Sequence, residues 1–218
     1  MAEKKNIDVP AENGVSQELD RFEAWVVGNS KKIMICSGIL VVVIVVAVSV
    51  WSWVKGAEDR SRQAFASATT QEQIESTLKK YDKGAAAAEA RVRLARMFAK
   101  NKEYAKAAAL LEQVANDAAV ISFLRGRAAV EAAGNYELAG NAAEAEKAFA
   151  AAADNTAFDE AVRVEAAYGQ GRLLAAKKDY AGARLAFKRA TVKTPANRTV
   201  AFWSGLAGRA LDRLPAGK

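Results

Sequence analysis

The chain has 218 residues, of which 32 are Lys or Arg and 25 are Asp or Glu, so its net charge is +7, and it contains no histidine. The lack of histidine excludes His-based catalytic triads and removes the commonest general base and the commonest metal ligand. An alanine-rich sequence with only three prolines predicts an all-α protein. The one cysteine, Cys36, lies in an apolar run and cannot form an intramolecular disulfide.

Two polar segments come first. Residues 1–15 have a composition typical of a disordered tail. Residues 16–32 place Leu19, Phe22 and Val26 at the i, i+3 and i+7 positions of one helical face. This pattern predicts a juxtamembrane amphipathic helix that lies at the membrane surface, or equally the first turns of the next helix continued into solvent.

Residues 33–54 carry no charge, and more than half of them are Ile, Leu or Val. A helix of that length spans about 33 Å, which exceeds the roughly 30 Å of a hydrocarbon core, so we predict a transmembrane helix. The run is longer than the roughly 7 to 15 apolar residues of a cleaved signal peptide, which favours a retained anchor. Three Lys or Arg residues lie close to it on each side, so charge does not set its orientation.

Residues 55–83 are predicted to form a linker helix and a half repeat. The linker helix ends at about Ala68, where two overlapping capping boxes begin at Thr69 and Thr70. A short helix follows and runs to about Tyr81, with apolar residues on one of its faces.

Residues 84–196 repeat with a fixed period, since Ala107, Ala145 and Ala183 are equally spaced (145 − 107 = 183 − 145 = 38). Asn141 and Asp179, at the same spacing, stand where the second helix of a unit needs an N-cap. The other recurring sets are Ala95, Ala133 and Gly171; and Leu111, Phe149 and Phe187. Such a period predicts an α-solenoid, in which stacked helix pairs bury apolar faces that no single pair can bury alone. Residues 197–218 are predicted as a cap helix and tail, and we interpret the formal glycosylation sequon at Asn197 as an N-cap.

The repeat unit resembles the tetratricopeptide repeat. Tyr180, Ala183, Phe187 and Ala190 have that family's order of aromatic, small, bulky and small residues, and Pro195 closes the unit. The family's period is about 34 residues, so the four additional residues predict first helices that are one turn longer. The resemblance implies a right-handed solenoid of about three repeats plus the half repeat, although the tryptophan that the family carries early in each unit is absent.

Catalytic and nucleotide-binding motifs are absent from the sequence. Its carboxylates are scattered at helical spacing, and its Lys and Arg residues are not clustered with aromatic residues. We therefore predict a protein that is not an enzyme and that binds no cofactor, metal, small-molecule substrate or nucleic acid. The expected partners are other proteins and the lipid bilayer.

In the resembled family, the first helix of each repeat lines a binding groove. The corresponding residues here are Val92, Arg96, Val130, Gly134, Glu137, Tyr168 and Arg172. Arg96 and Arg172 occupy equivalent places in the first and third units, so both could contact a carboxylate or the backbone carbonyls of an extended chain. The alternative is that both arginines are solvated surface residues.

The order of the segments resembles the ancillary subunit family of the bacterial Sec translocon: a polar tail, one span, and Ala-rich repeats. This resemblance implies a single-pass protein of the bacterial inner membrane, with its N-terminus in the cytoplasm and its repeat domain in the periplasm. It also implies work beside a periplasmic chaperone that receives newly translocated chains. The predicted function is a membrane-anchored protein–protein interaction module. The alternatives are a structural scaffold of an envelope or cell-division complex with one constant partner, and an enzyme subunit whose active site lies in another chain.

Overall fold

The computed structural model of the chain describes residues 12–215. Within that range every regular element is an α-helix and no strand occurs, which confirms the all-α prediction. The helices are α1 (Glu12–Gly28), α2 (Ser30–Ser67), α3 (Gln71–Lys80), α4 (Ala85–Lys100), α5 (Tyr104–Asn116), α6 (Ser122–Leu138), α7 (Ala142–Asp154), α8 (Glu160–Ala176), α9 (Tyr180–Ala190) and α10 (Arg198–Arg213). The chain divides into two compact units, Met1–Ala57 and Glu58–Lys218.

In the first unit, α1 begins earlier than the sequence indicates. Residues 12–15 are helical, so the disordered tail predicted over residues 1–15 is wrong for its last four residues. The physical reason is that extending a formed helix by one turn is far easier than nucleating a new helix. The rest of the predicted tail, residues 1–11, lies outside the described range.

The boundary between α1 and α2 is a single residue, Asn29. Its N–H donates to the carbonyl of Trp25 at 3.0 Å, and its own carbonyl accepts from the N–H of Ile33 at 2.9 Å. Hydrogen bonds between positions four apart therefore run through the break, so the segment before the apolar run is helical up to the point where that run begins.

The apolar part of α2 is long and apolar enough to cross a membrane. Every large hydrophobic side chain from Met34 to Val54 is more than half exposed, so this surface is not part of a hydrophobic core. At its end, the Nζ atom of Lys55 lies 4.8 Å from the ring centroid of Trp51. A tryptophan beside a lysine is typical of the interface between a membrane and water.

The second unit begins with the last turns of α2. Arg93 of α4 donates through Nη2 to the carbonyls of Phe65 and Ala68, at 2.8 Å each. Carbonyls at a helix C-terminus have no partner within the helix, and Arg93 satisfies two of them. The second of the two predicted capping boxes then starts α3, because the Thr70 hydroxyl accepts from the Gln73 N–H and the Gln73 side chain accepts from the Thr70 N–H.

The remaining helices pack in the order of the chain. Each helix from α4 to α9 packs on the next one, α3 lies on α4, and α10 lies on α8 and α9. The first helices α4, α6 and α8 have 16, 17 and 17 residues. The second helices α5, α7 and α9 begin at Tyr104, Ala142 and Tyr180, which are equally spaced along the chain. The interval between these starts equals the period seen in the sequence.

Each of these first helices ends in the same turn. The residue at the bend has a positive φ in all three cases, 65° at Lys102, 81° at Gly140 and 64° at Lys178. In each turn the next residue donates its N–H to the carbonyl five positions earlier, at 2.8 to 3.0 Å. This pattern is a Schellman closure, which glycine adopts without the roughly 1–2 kcal/mol that a side chain adds in the left-handed region.

The residues that recur in the sequence lie in the core. The five recurring alanines have no exposed surface, and the bulky residues that recur with them are 1–5 % exposed; the alanines are Ala95, Ala107, Ala133, Ala145 and Ala183, and the bulky residues are Leu111, Phe149 and Phe187. The core of this unit consists of two clusters of buried side chains. One extends from the end of α2 to the middle of α6, and the other extends from α6 to α10.

Two glycines of α8 allow aromatic rings to pack directly on its backbone. A Cβ atom on Gly169 would lie 2.7 Å from Cε1 of Phe149, and a Cβ atom on Gly171 would lie 2.6 Å from Cδ1 of Phe187. Because carbon atoms do not approach that closely, the rings of α7 and α9 occupy the space that a side chain on α8 would need.

We expect Gly171→Ala to lower the free energy of unfolding by about 1–3 kcal/mol, because the added methyl group overpacks the contact with Phe187. The matched control is Gly134→Ala in α6, where a Cβ would meet no atom within 4 Å. There the substitution removes the helix penalty of glycine and should raise the stability by about 0.5–1 kcal/mol. Urea unfolding of the full chain in detergent micelles, followed by circular dichroism, measures both changes. Equal effects of the two substitutions would contradict the packing of Phe187 on α8.

Candidate protein-binding face

Both arginines of the predicted groove form ion pairs that join neighbouring first helices. Arg96 of α4 contacts Glu131 of α6 through Nη2 and Nε, at 2.8 and 3.3 Å. Arg172 of α8 uses both terminal nitrogens to contact the two carboxylate oxygens of Glu137 in α6. Each arginine therefore donates two charge-assisted hydrogen bonds within the chain, while its side chain stays partly exposed to solvent.

A third ion pair on these helices was missed by the sequence analysis. Nη1 of Arg127 in α6 lies 2.5 Å from Oε2 of Glu165 in α8, and the Glu165 side chain is only 14 % exposed. The signal for it was present in the repeat, because Glu89, Arg127 and Glu165 follow one another at the repeat period and alternate in charge. Opposite charges at equivalent places of adjacent units attract each other.

The ion pairs shift the pKa values of their members. The hydrogen bond from Arg172 lowers the pKa of Glu137 more than burial raises it. The same bond raises the pKa of Arg172 against the opposing effect of its burial, and the bond to Glu131 raises the pKa of Arg96. These groups therefore carry their charges at neutral pH and hold α4, α6 and α8 together electrostatically.

The uncharged residues of the predicted groove divide between the core and its edge. Val92 is 7 % exposed and Val130 is 6 % exposed, so both side chains belong mainly to the core between helices and not to an open groove. Tyr168 is half-buried and packs against the core cluster that contains Val130 and extends from α6 to α10. Gly134 is half-buried and has open space around its α-carbon.

Val92 and Arg96 line a groove of about 560 Å³ that also includes Leu124 at the start of α6. Its apolar wall consists of Val92, Met97 and Leu124, and its charged residues are Glu89, Arg93, Arg96 and Lys100. An apolar wall bordered by charges, of which three are positive and one is negative, can cover apolar side chains and attract a carboxylate at the same time. We call this site the α4–α6 groove.

On α8, an aromatic cluster extends the face to α10. The ring centroid of Tyr168 lies 5.6 Å from that of Trp203 and 5.8 Å from that of Phe187. Phe202 lies 5.0 Å from Trp203 by the same measure and is 57 % exposed. Because α10 was predicted only as a cap, Phe202 and Trp203 were not among the predicted site residues, although adjacent aromatic residues in an amphipathic helix are a usable signal.

The chain was compared with models of known protein families, with curated proteins and with solved structures, and none of the three comparisons gives a match. Groups of three or more His, Cys, Asp or Glu residues placed to hold a metal ion do not occur among residues 12–215. The residues of this face can exchange their ion pairs for pairs with a bound molecule, and they can bury its apolar and aromatic groups.

We expect Glu137→Gln to lower the stability at pH 7, with a coupling free energy to Arg172 of about 0.2–1 kcal/mol. The pKa of Glu137 is lowered in the folded chain, so its contribution is present above the unfolded value of about 4.3. That contribution is lost as the pH falls through the lower folded pKa. A double-mutant cycle with Arg172→Gln, measured by urea unfolding between pH 7 and pH 3, tests this. A coupling that stays constant over this interval would contradict the ion pair.

Proposed function

We propose that the chain is a membrane-anchored protein–protein interaction module. In this proposal α4–α9 are three tetratricopeptide-like repeats of a right-handed solenoid, α3 belongs to the preceding half repeat, and α10 is the cap. The module is not an enzyme and uses no cofactor. Its first helices present a surface on which partner polypeptides bind.

The regularity of the helices supports the repeat assignment. The second helices start one repeat period apart, and the same Schellman closure ends all three first helices. The loops between units repeat too, because the Asp117 side chain accepts from the N–H of Ala119 and, one period later, the Asn155 side chain accepts from that of Ala157. Repetition of both the turns and the loops is what a stack of equivalent helix pairs requires.

The α4–α6 groove is the observation that carries the binding proposal. An extended polypeptide exposes its apolar and charged side chains together with its backbone carbonyl groups. Met97 and Leu124 offer apolar contact to such side chains. Arg96 and Lys100 offer donors to carbonyl or carboxylate oxygens. The exposed Phe202 provides a second anchor point, since aromatic residues dominate binding energy in many interfaces.

The apolar part of α2 supports the anchor. A single helix of this length and composition would hold the module beside a bilayer, and the aromatic and lysine residues at its end would lie at the interface. We place the chain in a bacterial inner membrane, with the N-terminus cytoplasmic and the repeats periplasmic. There it would act next to the Sec translocon and a periplasmic chaperone and bind newly translocated polypeptides.

A scaffold with one constant partner is the second candidate, and the ion pairs favour it. Arg96, Arg127 and Arg172 are already paired with carboxylates of neighbouring helices. A face braced in this way has a defined shape before binding, which suits one complementary partner better than many different clients.

Photo-crosslinking from the face separates the two candidates. A photoreactive amino acid at Leu124 or Phe202 of the full chain, in cells of a bacterial host, should give crosslinks to many newly translocated polypeptides. The same group at Lys147, an exposed position on α7, should give few crosslinks. One product of fixed mass from the face would favour the scaffold, and equal labelling from all three positions would contradict a binding face.

Protease accessibility tests the orientation. Protease added to spheroplasts should digest the helical repeats and leave a protected fragment that contains the apolar part of α2. Protease added to inverted inner-membrane vesicles should leave the repeats intact. The opposite pattern would contradict the periplasmic location and the role beside the translocon.

A further inference from the structure

A cavity of about 140 Å³ lies among α5, α6 and α7. Of these three helices, only α6 carries residues of the predicted groove. Its wall consists mostly of alanines together with one aromatic ring, namely Ala115, Ala129, Ala132, Ala148, Ala151, Ala152 and Phe158. Its polar residues are Glu112, Asn116, Arg125, Tyr136 and Asn155. We call this site the α5–α7 cavity.

Small residues of α6 and α7 create the α5–α7 cavity. Ala132 and Ala148 stand at the positions that Leu94 and Leu110 occupy one period earlier, in α4 and α5. Both leucines pack in the hydrophobic cluster that extends from the end of α2 to the middle of α6. The two core clusters also meet here, because Ala129 packs against both of them. The core is therefore underfilled at the place where its two clusters join.

The size and wall of the cavity suit an aromatic ring. An apolar cavity of about 150 Å³ in a protein core is large enough to bind benzene. The ring of Phe158 forms part of the wall, and a second ring could pack against it edge to face. The Arg125 guanidinium lies 5.9 Å from the Phe158 ring centroid, so a cation also stands next to the ring site.

Arg125 is positioned to pair with the carboxylate of another polypeptide. Its Nε donates to the carbonyl of Ala115 at 3.1 Å, which fixes the guanidinium at the cavity. Among the described side chains, no carboxylate pairs with it. The nearby Glu112 is engaged by Tyr136, whose hydroxyl donates to it at 2.6 Å. That bond, with burial, raises the pKa of Tyr136 to about 12, so the hydroxyl stays protonated at neutral pH.

We propose that the α5–α7 cavity binds an aromatic side chain of a polypeptide in which an acidic residue follows the aromatic one. The ring occupies the space left by Ala132 and Ala148, and the carboxylate pairs with the terminal nitrogens of Arg125. The cavity shares no residue with the α4–α6 groove. The proposal therefore stands independently of polypeptide binding in that groove.

The test is fluorescence anisotropy of dye-labelled peptides with the full chain in lipid nanodiscs, against empty nanodiscs. The main peptide contains one phenylalanine followed by one aspartate between glycines. It should bind at least tenfold more tightly than a peptide with lysine in place of the aspartate, or with alanine in place of the phenylalanine. Equal affinity of the three peptides would overturn the proposal.

Cavity-filling variants locate the binding site. Ala148→Leu and Ala132→Leu each introduce the leucine that stands one period earlier in the chain. Each should weaken binding of the main peptide at least tenfold while raising the melting temperature. Arg125→Gln should weaken it at least fivefold without filling the cavity. Ala143→Leu, an exposed change on the same helix as Ala148, is the control and should leave the affinity unchanged.

The groove variant Lys100→Gln should also leave this affinity unchanged, which distinguishes failure here from failure of the groove. A rise in melting temperature for Ala148→Leu with no loss of peptide binding would overturn the proposal, because the cavity would then be a packing defect only. The same holds if no peptide binds at millimolar concentration.

Discussion

Close packing of bulky side chains on small ones is the constraint on which the second unit depends. Phe149 and Phe187 lie against the backbone of α8 at the two glycines, and the recurring alanines of α4 to α9 are fully buried. Helices with such faces cannot be stable alone, because each buries its apolar stripe only when the next helix supplies the opposing residue. This explains why the order of packing follows the order of the chain.

Three ion pairs link the first helices at the border of the core. Arg96–Glu131, Arg127–Glu165 and Glu137–Arg172 each join one first helix to the next. Pairs that remain partly exposed contribute little stability individually. The pair with Glu131 holds Arg96 in a defined position at the α4–α6 groove, and a rigid surface loses less entropy when a partner binds.

The three units differ where function is expected. The helix pair α4–α5 fills its interior with leucines and contributes most of the groove, whereas the pair α6–α7 has alanines in place of two of them and leaves the α5–α7 cavity. The last unit ends in the aromatic cluster around Trp203. A repeat preserves the residues that one helix pair needs to contact the next and leaves the others free to vary, so candidate sites arise at those variable positions.

The sequence by itself determined the helical class, the apolar segment and the positions of the repeating helices, because these depend on local periodicity and on residue size. It also indicated the caps at Thr70, Asp179 and Asn197, whose side chains accept backbone N–H bonds in the structure. The side chain of Asn141, also predicted as a cap, makes no such bond. Only the tertiary structure decided that Arg96 and Arg172 are paired, that Val130 is buried, and that a cavity opens beside Arg125. These features depend on which side chains of different helices face each other, and a one-dimensional period fixes the face of each helix but not the distance to the next one.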